Sequence, residues 1–232
     1  TEPKFVPNEA VSVTLSGNAK MKVRMIDCVG YIVEDSQGYM EDDEPRMVTT
    51  PWSDDPLPFF EAAEIGTKKV ICDHSTIGLL VTTDGTVADI PRKSYERAEE
   101  RVVAELKEIN KPFVILLNSK TPGSPACREL KSELEQKYGV PVVAVSCAEF
   151  SEEDVERIIE TVLFEFPLSE VKIRMPGWVS GLGGSHWLSE KLNRAVLSEI
   201  EPLEKIRNVK TFCENLSGYD FIKSSNIDGI DL

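Results

Sequence analysis

"KPFVILLNS", residues 111–119, is an apolar run that opens after a Lys-Pro pair and closes on Asn118 and Ser119. It reads as a strand. On its amino-terminal side, "SYERAEERVVAELKEI" (94–109) sets Ala98, Val102, Leu106 and Ile109 on one stripe opposite a charged face. That is a helix, with Ser94 placed to cap it. On the carboxyl side, "SPACRELKSELEQKYG" (124–139) is a second helix, stopped by Gly139. Further out lie "TIGLLVTTDG" (76–85), a buried strand ending in a turn, and "VPVVAVSC" (140–147), another strand. The latter leads into "SEEDVERIIETVLFEF" (151–166), a helix capped by Ser151. Strands alternating with helices predict an α/β fold with a doubly wound, mostly parallel sheet.

Towards the amino terminus, "PFFEAAEIGTKKVICDH" (58–74) reads as a helix, and "VSVTL" (11–15) and "MKVRMI" (21–26) as a hairpin across a Ser-Gly-Asn turn. Between them, 31–58 is polar and Pro-rich, too long for an ordinary connection, and therefore functional or mobile. A second region begins at Leu168, giving domains 1–167 and 168–232. In it "VKIRMP" is a short strand or extended link, and "GLGGSHW" (181–187) a flexible one. Leu188, Leu192, Ala195 and Leu203 then form a helical packing stripe that Pro202 should kink or split. The expected second domain is thus the beginning of an α/β or helical unit. His186 beside Trp187 reads as a packing pair at a helix start, and His74 as structural.

The chain has 232 residues, 41% hydrophobic and 28% charged, enough for one full core and a smaller appendage. Its formal charge of −14, from 26 basic against 40 acidic residues, argues against broad nucleic-acid binding. Five scattered cysteines without C-x-x-C spacing, and only two histidines, give a zinc site little support and fit a reducing cytoplasm. No run of 18 apolar residues and no secretory leader is written in it.

Three strand ends carry marked residues: Asp27-Cys28-Val29-Gly30, Asn118-Ser119-Lys120-Thr121 and Ser146-Cys147-Ala148. In that order they are similar to the later motifs of the G-protein class of P-loop nucleotide hydrolases. The resemblance implies that the first Asp holds Mg²⁺ through water beside the phosphates. It also implies that the Asn-Lys-x-Asp strand end reads the base, with a Ser-Ala turn adding a backbone contact. The departures matter equally. Thr121 stands where the guanine-reading Asp would be and cannot accept two donors as a carboxylate does, which predicts weakened guanine selectivity. Ser119 replaces the base-stacking Lys. Lys120, displaced by one place, either lays its stem over the base or is an ordinary solvated lysine. Tyr31 follows Gly30 where many small G proteins carry a water-orienting Gln, so another residue must position the water.

Long segments narrow this further. "TEPKFVPNEA", "DCVGY", "EAAEIGTKKVI", "HSTIGLLVTTDGT", "AEERVVAELKEINKPF" and "FEFPLSEV" resemble the stage IV sporulation protein A family of spore-coat morphogenetic ATPases. The resemblance runs from residue 1 to at least 170 and more loosely beyond. It implies an ATPase related to translation-factor GTPases that has lost guanine preference and uses ATP with Mg²⁺. Hydrolysis would drive self-assembly into a static homopolymer on the forespore surface, in the mother-cell cytoplasm. A small amphipathic membrane-binding coat peptide would be bound through regions outside this chain, and other coat proteins would build on the polymer. By position, Asp27 looks like the Mg²⁺-linked aspartate and Gly30 like the switch glycine. Thr1 looks like the second of two γ-phosphate-sensing threonines, and so also lies near the metal. Asn118, Lys120, Thr121, Ser146 and Cys147 look like the base side.

No G-x-x-x-x-G-K-[ST] occurs anywhere in the 232 residues. The expectation is a fragment without the first strand and phosphate loop, unable by itself to bind or hydrolyse ATP. Segment 31–58 is expected to be mobile until the γ-phosphate orders it. The competing reading for the parent protein is a nucleotide-independent scaffold that inherited the fold.

Overall fold

A computed structural model describes residues 9–14, 20–36, 38–41, 44–51 and 53–229. The chain divides into two compact units between Val162 and Leu163.

The first unit opens on the expected hairpin. β1 (Val11–Thr14) pairs antiparallel with β2 (Lys20–Val23), Val11 facing Val23 and Ser12 facing Lys22. Its Ser-Gly-Asn turn lies outside the described residues. β2 ends at Val23, three residues short of the sequence reading, so Asp27 does not close a strand. The cause is packing: among the described residues β1 and β2 form a sheet of their own, and Met25, next in the inward alternation, is 73% exposed.

Segment 31–58 is more regular than expected. β3 (Met40–Glu41) pairs with β4 (Glu44–Pro45), and β5 (Met47–Thr50) with β6 (Ser53–Pro58), both antiparallel. Pro45, Pro56 and Pro58 disguise these strands in the sequence. In a two-stranded pair every strand has an outer edge, where a missing N–H breaks no ladder.

α1 (Phe59–Lys69) runs into one wide turn, Val70–His74, completing the helix read from the sequence. Then come β7 (Gly78–Thr83), α2 (Lys93–Glu108), β8 (Phe113–Asn118), α3 (Pro125–Tyr138), β9 (Val142–Val145) and α4 (Glu152–Phe164). β7, β8 and β9 form one parallel sheet in that order, with Thr83 beside Asn118 and Asn118 beside Val145. The apolar run of β8 explains its central place. Phe113, Ile115 and Leu117 pack with Val103 and Leu106 of α2 and with Cys127, Leu134 and Tyr138 of α3. Val114 and Leu116 face the opposite way, onto Ile158 of α4. Helices therefore cover both faces, as the alternation predicted. Among the described residues the parallel sheet has these three strands, and β2 is not one of them.

The helix ends follow their sequence signals, with one exception. Ser124 Oγ accepts the Cys127 N–H at 3.2 Å, Pro125 occupies the first helical position, and Gly139 stops α3. Ser151 and Asp154 bond each other's amides, each at 3.1 Å, a reciprocal box at the start of α4. Ser94 is not a cap. α2 starts one residue earlier, and the Ser94 hydroxyl instead donates to Asp35 Oδ2 at 2.7 Å.

In the second unit the described residues form helices only: α5 (Gly177–Ser180), α6 (Trp187–Ile200) and α7 (Asn208–Ser217). "VKIRMP" is the extended link, not a strand. Pro202 falls in the break between α6 and α7, where the split was expected. Ala195 of the apolar stripe is buried against Phe212 and Leu216, with Leu203 packed alongside. His186 Nδ1 accepts the Leu188 N–H at 3.2 Å, and its ring lies 5.7 Å from that of Trp187, the helix-start pair read from the sequence. Backbone bonds strap 164–168 to 204–207, and inside the strap Glu165 is fully buried between Lys205 and Arg207.

Candidate nucleotide site

Because β7, β8 and β9 are parallel, their carboxyl ends emerge on one edge, where open α/β sheets place ligands. The three ends are joined by hydrogen bonds. Asn118 Oδ1 accepts the Cys147 N–H at 3.0 Å, and the Ser119 N–H reaches the Val145 carbonyl at 2.9 Å, so the ends of β8 and β9 are clasped. On the other side, the Asp84 N–H lies 3.4 Å from the Asn118 carbonyl, and the Lys120 N–H bonds Thr86 Oγ1 at 3.0 Å. Ser146 stands half-buried in extended backbone, its carbonyl accepting the Glu149 N–H. The side chains of Lys120 and Thr121 are exposed.

Ser119 is the opposite: fully buried. It does not stand in for a base-stacking lysine, because it points into the fold. Its Oγ accepts the Thr121 N–H at 3.0 Å, and its hydroxyl lies within reach of the Asp84 carboxylate and the Cys127 thiol. Asp84 Oδ1 also takes the Thr86 N–H at 3.0 Å and the Thr86 hydroxyl at 2.6 Å. Burial alone would raise the Asp84 pKa, but the Ser119 and Thr86 hydroxyls and the Thr86 amide outweigh it and hold the carboxyl below its usual range. The stability this adds is present at neutral pH and is lost as pH falls through that depressed value. Sequence reasoning saw only a turn at Asp84. The Asp-Gly-Thr after a third strand end was the signal that could have found it.

The loop is braced from beneath. Arg92 reaches both carboxylate oxygens of the buried Glu99, Nη2 to Oε2 at 2.6 Å, and the Thr82 hydroxyl also donates to Glu99. Gly85, at φ +86°, lies so close that a Cβ there would stand 2.9 Å from the Arg92 nitrogen. Both the backbone angle and the space require glycine.

The residues expected near the phosphates are arranged differently. Asp27 is exposed, and its Oδ1 accepts the N–H of its neighbour Cys28 at 3.0 Å. Gly30, at φ +80°, donates its N–H to Thr67 Oγ1 on α1 at 2.9 Å. The Tyr31 hydroxyl donates to Glu105 on α2, and its ring lies 5.0 Å under the Arg101 guanidinium. Burial, then the Glu105 carboxylate, pushes the phenol well above its ordinary pKa, so it is neutral and acts as an anchor. Arg101 in turn grips Glu64 of α1 at 2.5 and 2.6 Å. Thr1 lies outside the described residues. The structure thus brings together Asn118, Lys120, Thr121, Ser146 and Cys147, whereas Asp27 and Gly30 bond elsewhere, to Cys28 and Thr67. Among the described residues no three His, Cys, Asp or Glu side chains gather to hold a metal. Of the residues expected beside Mg²⁺ and the phosphates, the described part of the chain supplies one carboxylate, that of the exposed Asp27.

With the geometry in hand, comparison with known proteins is informative. A family model for the ATPase domain of stage IV sporulation protein A matches residues 1–167, and one for its middle domain matches 168–232. The chain belongs to the stage IV sporulation protein A family. Proteins of that name from Bacillus anthracis and Bacillus subtilis (strain 168) are each 45% identical over 232 residues, covering 100% of this chain and 47% of each relative. The Clostridioides difficile (strain 630) protein is 46% identical over 231 residues and is covered to the same extent, 47%. The chain therefore spans about half the length of the curated relatives it matches. No solved structure matches it. The family places the chain among sporulation proteins with an ATPase domain. Among the described residues, no helix is long and apolar enough to cross a membrane.

Proposed function

We propose that this chain is the base-binding half of an ATPase whose hydrolysis drives self-assembly into a static polymer at the outer forespore surface. The observation that carries this reading is the clasp from Asn118 Oδ1 to the Cys147 amide, which holds two strand ends as one surface and leaves Thr121 exposed on it. A threonine hydroxyl has one proton to donate and accepts on a single oxygen, where a carboxylate offers two in a plane. That suits the N6 amino group and N1 of adenine, one donor and one acceptor. Guanine presents two donors at the corresponding edge, and a single hydroxyl meets them poorly. Asn118 and Ser146 act by shaping the surface, and Cys147 through its backbone. Lys120, exposed beside Thr121, has a stem long enough to cover a base.

ATP supplies the phosphoryl group, with Mg²⁺ neutralising its charge when bound. Asp27 is the residue here suited to hold that ion through water, with Gly30 giving close backbone approach and Thr1 sensing the γ-phosphate. Segment 31–58 orders further when that phosphate arrives. The tethers from Gly30 to α1, and from Tyr31 and Asp35 to α2, are the contacts through which such ordering would reach the helices. Partners are further copies of the protein, a small amphipathic membrane-binding coat peptide bound outside this chain, and other coat proteins.

The test is single-turnover ATP hydrolysis by three proteins: the full-length protein, its Asp27→Asn variant, and the present 232 residues. Hydrolysis by the first, a loss of about 100-fold or more in the second, and none by the third is the expected outcome. A full-length protein that neither binds nor hydrolyses ATP, yet still assembles, would establish the nucleotide-independent scaffold instead.

A further inference from the structure

Thr86 and Ser119 each have one hydroxyl proton, and both hydroxyls face the same carboxylate. The Thr86 hydroxyl donates to Asp84 Oδ1 at 2.6 Å, and the Ser119 hydroxyl lies within reach of the Asp84 carboxylate, with the Cys127 thiol as its other neighbour. With both protons directed at Asp84, both oxygens present lone pairs to the loop after β8. Thr86 Oγ1 receives the Lys120 N–H at 3.0 Å, and Ser119 Oγ receives the Thr121 N–H at 3.0 Å. One carboxylate thereby orients two hydroxyls, and two hydroxyls hold two consecutive backbone amides. The burial of Ser119 makes the arrangement costly to break, since a buried donor or acceptor left without a partner has no water to replace it. Gly85 and the Arg92–Glu99 pair fix the backbone that carries Asp84.

We propose that Asp84 is the positioning residue of the base-side loop, setting the proton direction of Ser119 and Thr86 so that Lys120 and Thr121 are held by their amides with both side chains turned outward to an adenine base. It touches no substrate itself. The idea rests on the ATPase reading above for its adenine, while its hydrogen-bond logic stands on the loop alone. It also explains the position-by-position departure from the lysine-containing motif. Serine at 119 serves as an internal relay for which lysine would be too long and could not accept a bond.

Two readouts on the full-length protein separate the layers. Residue-resolved amide hydrogen exchange should show Asp84→Ala raising exchange at both Lys120 and Thr121 by about tenfold or more, with Val114–Leu117 of β8 unchanged. Thr86→Val should release Lys120 alone, and Ser119→Ala should release Thr121 alone. This pattern is one that general destabilisation does not produce, and these two variants carry the test if Asp84→Ala fails to fold. Equilibrium binding should then show ATP affinity falling about tenfold in Asp84→Ala, with kcat at saturating ATP within about threefold of wild type, because the phosphate side is untouched. Asp84→Glu should restore part of the affinity. Unchanged exchange at Lys120 and Thr121 would overturn the proposal, as would released amides with unaltered ATP affinity. A wild type that bound no nucleotide would remove the ATPase reading and the adenine role with it, and the exchange pattern would then decide whether Asp84 positions the loop.

Discussion

Replacing Arg92 with alanine is expected to cost the first unit about 3–5 kcal/mol of stability. The reason is the group left behind. Glu99 is 4% exposed, and its carboxylate has two partners: the guanidinium of Arg92, which spans both oxygens, and the Thr82 hydroxyl. Without Arg92 an ionised carboxylate keeps one hydroxyl in a site that water scarcely reaches. That is the costly way to break a buried pair, because desolvation of the survivor is no longer offset. Arg92→Lys should fall between, since a point charge cannot serve both oxygens in the plane that a guanidinium does. In Arg92→Ala/Glu99→Gln the buried charge is gone and Thr82 can satisfy the amide, so the double variant should recover part of the loss. Equilibrium urea unfolding followed by circular dichroism measures all three. A loss under about 1 kcal/mol for Arg92→Ala would mean that Glu99 reaches solvent once its partner is gone.

The second unit has its own equivalent. Glu165 is fully buried, with Lys205 Nζ at 2.6 Å on one oxygen and Arg207 Nη1 at 3.0 Å on the other. Lys205→Met keeps most of the aliphatic stem and removes the charge. The expected cost is about 3 kcal/mol, the low end for a broken buried pair, because Arg207 remains. Glu165→Gln should cost less, since Lys205 and Arg207 are both partly exposed and can turn to water. The ordering is the decisive result in urea unfolding. If Glu165→Gln proved more damaging than Lys205→Met, Glu165 would be acting as a hydrogen-bond acceptor in the strap and not as a charge requiring neutralisation.

The parts of this structure that local pattern determines were legible in the sequence. An unbroken apolar run at 113–117 has to be a buried strand, and Ser124, Gly139, Ser151 and Pro202 mark their boundaries by backbone chemistry confined to a few residues. The misread elements depended on what lies beside them. Met21, Val23 and Met25 alternate as a longer strand would, but among the described residues no neighbouring sheet extends over the exposed Met25, and β2 stops at Val23. Proline in β4 and β6 hid strands that tolerate it only because each has a free edge. Ser94 has the right identity and place for a cap, yet Asp35, distant in sequence, claims its hydroxyl. At the candidate site, Asn118 and Cys147 could be named because Asn118 closes β8 and Cys147 follows the end of β9 by two residues. Asp84, Ser119, Arg92 and Glu99 could not. Their significance lies in contacts between different strand ends, or across the span from one loop to the next helix, and a charged residue on an amphipathic helix such as Glu99 ordinarily reads as solvated.

On the proposed reading, the joined ends of β8 and β9 present a surface for an adenine nucleotide from which guanine selectivity has been lost. Direct binding of ATP and GTP to the full-length protein, compared by isothermal titration under identical Mg²⁺ and salt, tests it with the fewest assumptions. The account predicts ATP bound at least as tightly as GTP, and a Thr121→Asp variant shifted towards GTP. GTP binding to the wild type tighter by about tenfold or more, about 1.4 kcal/mol, would contradict it.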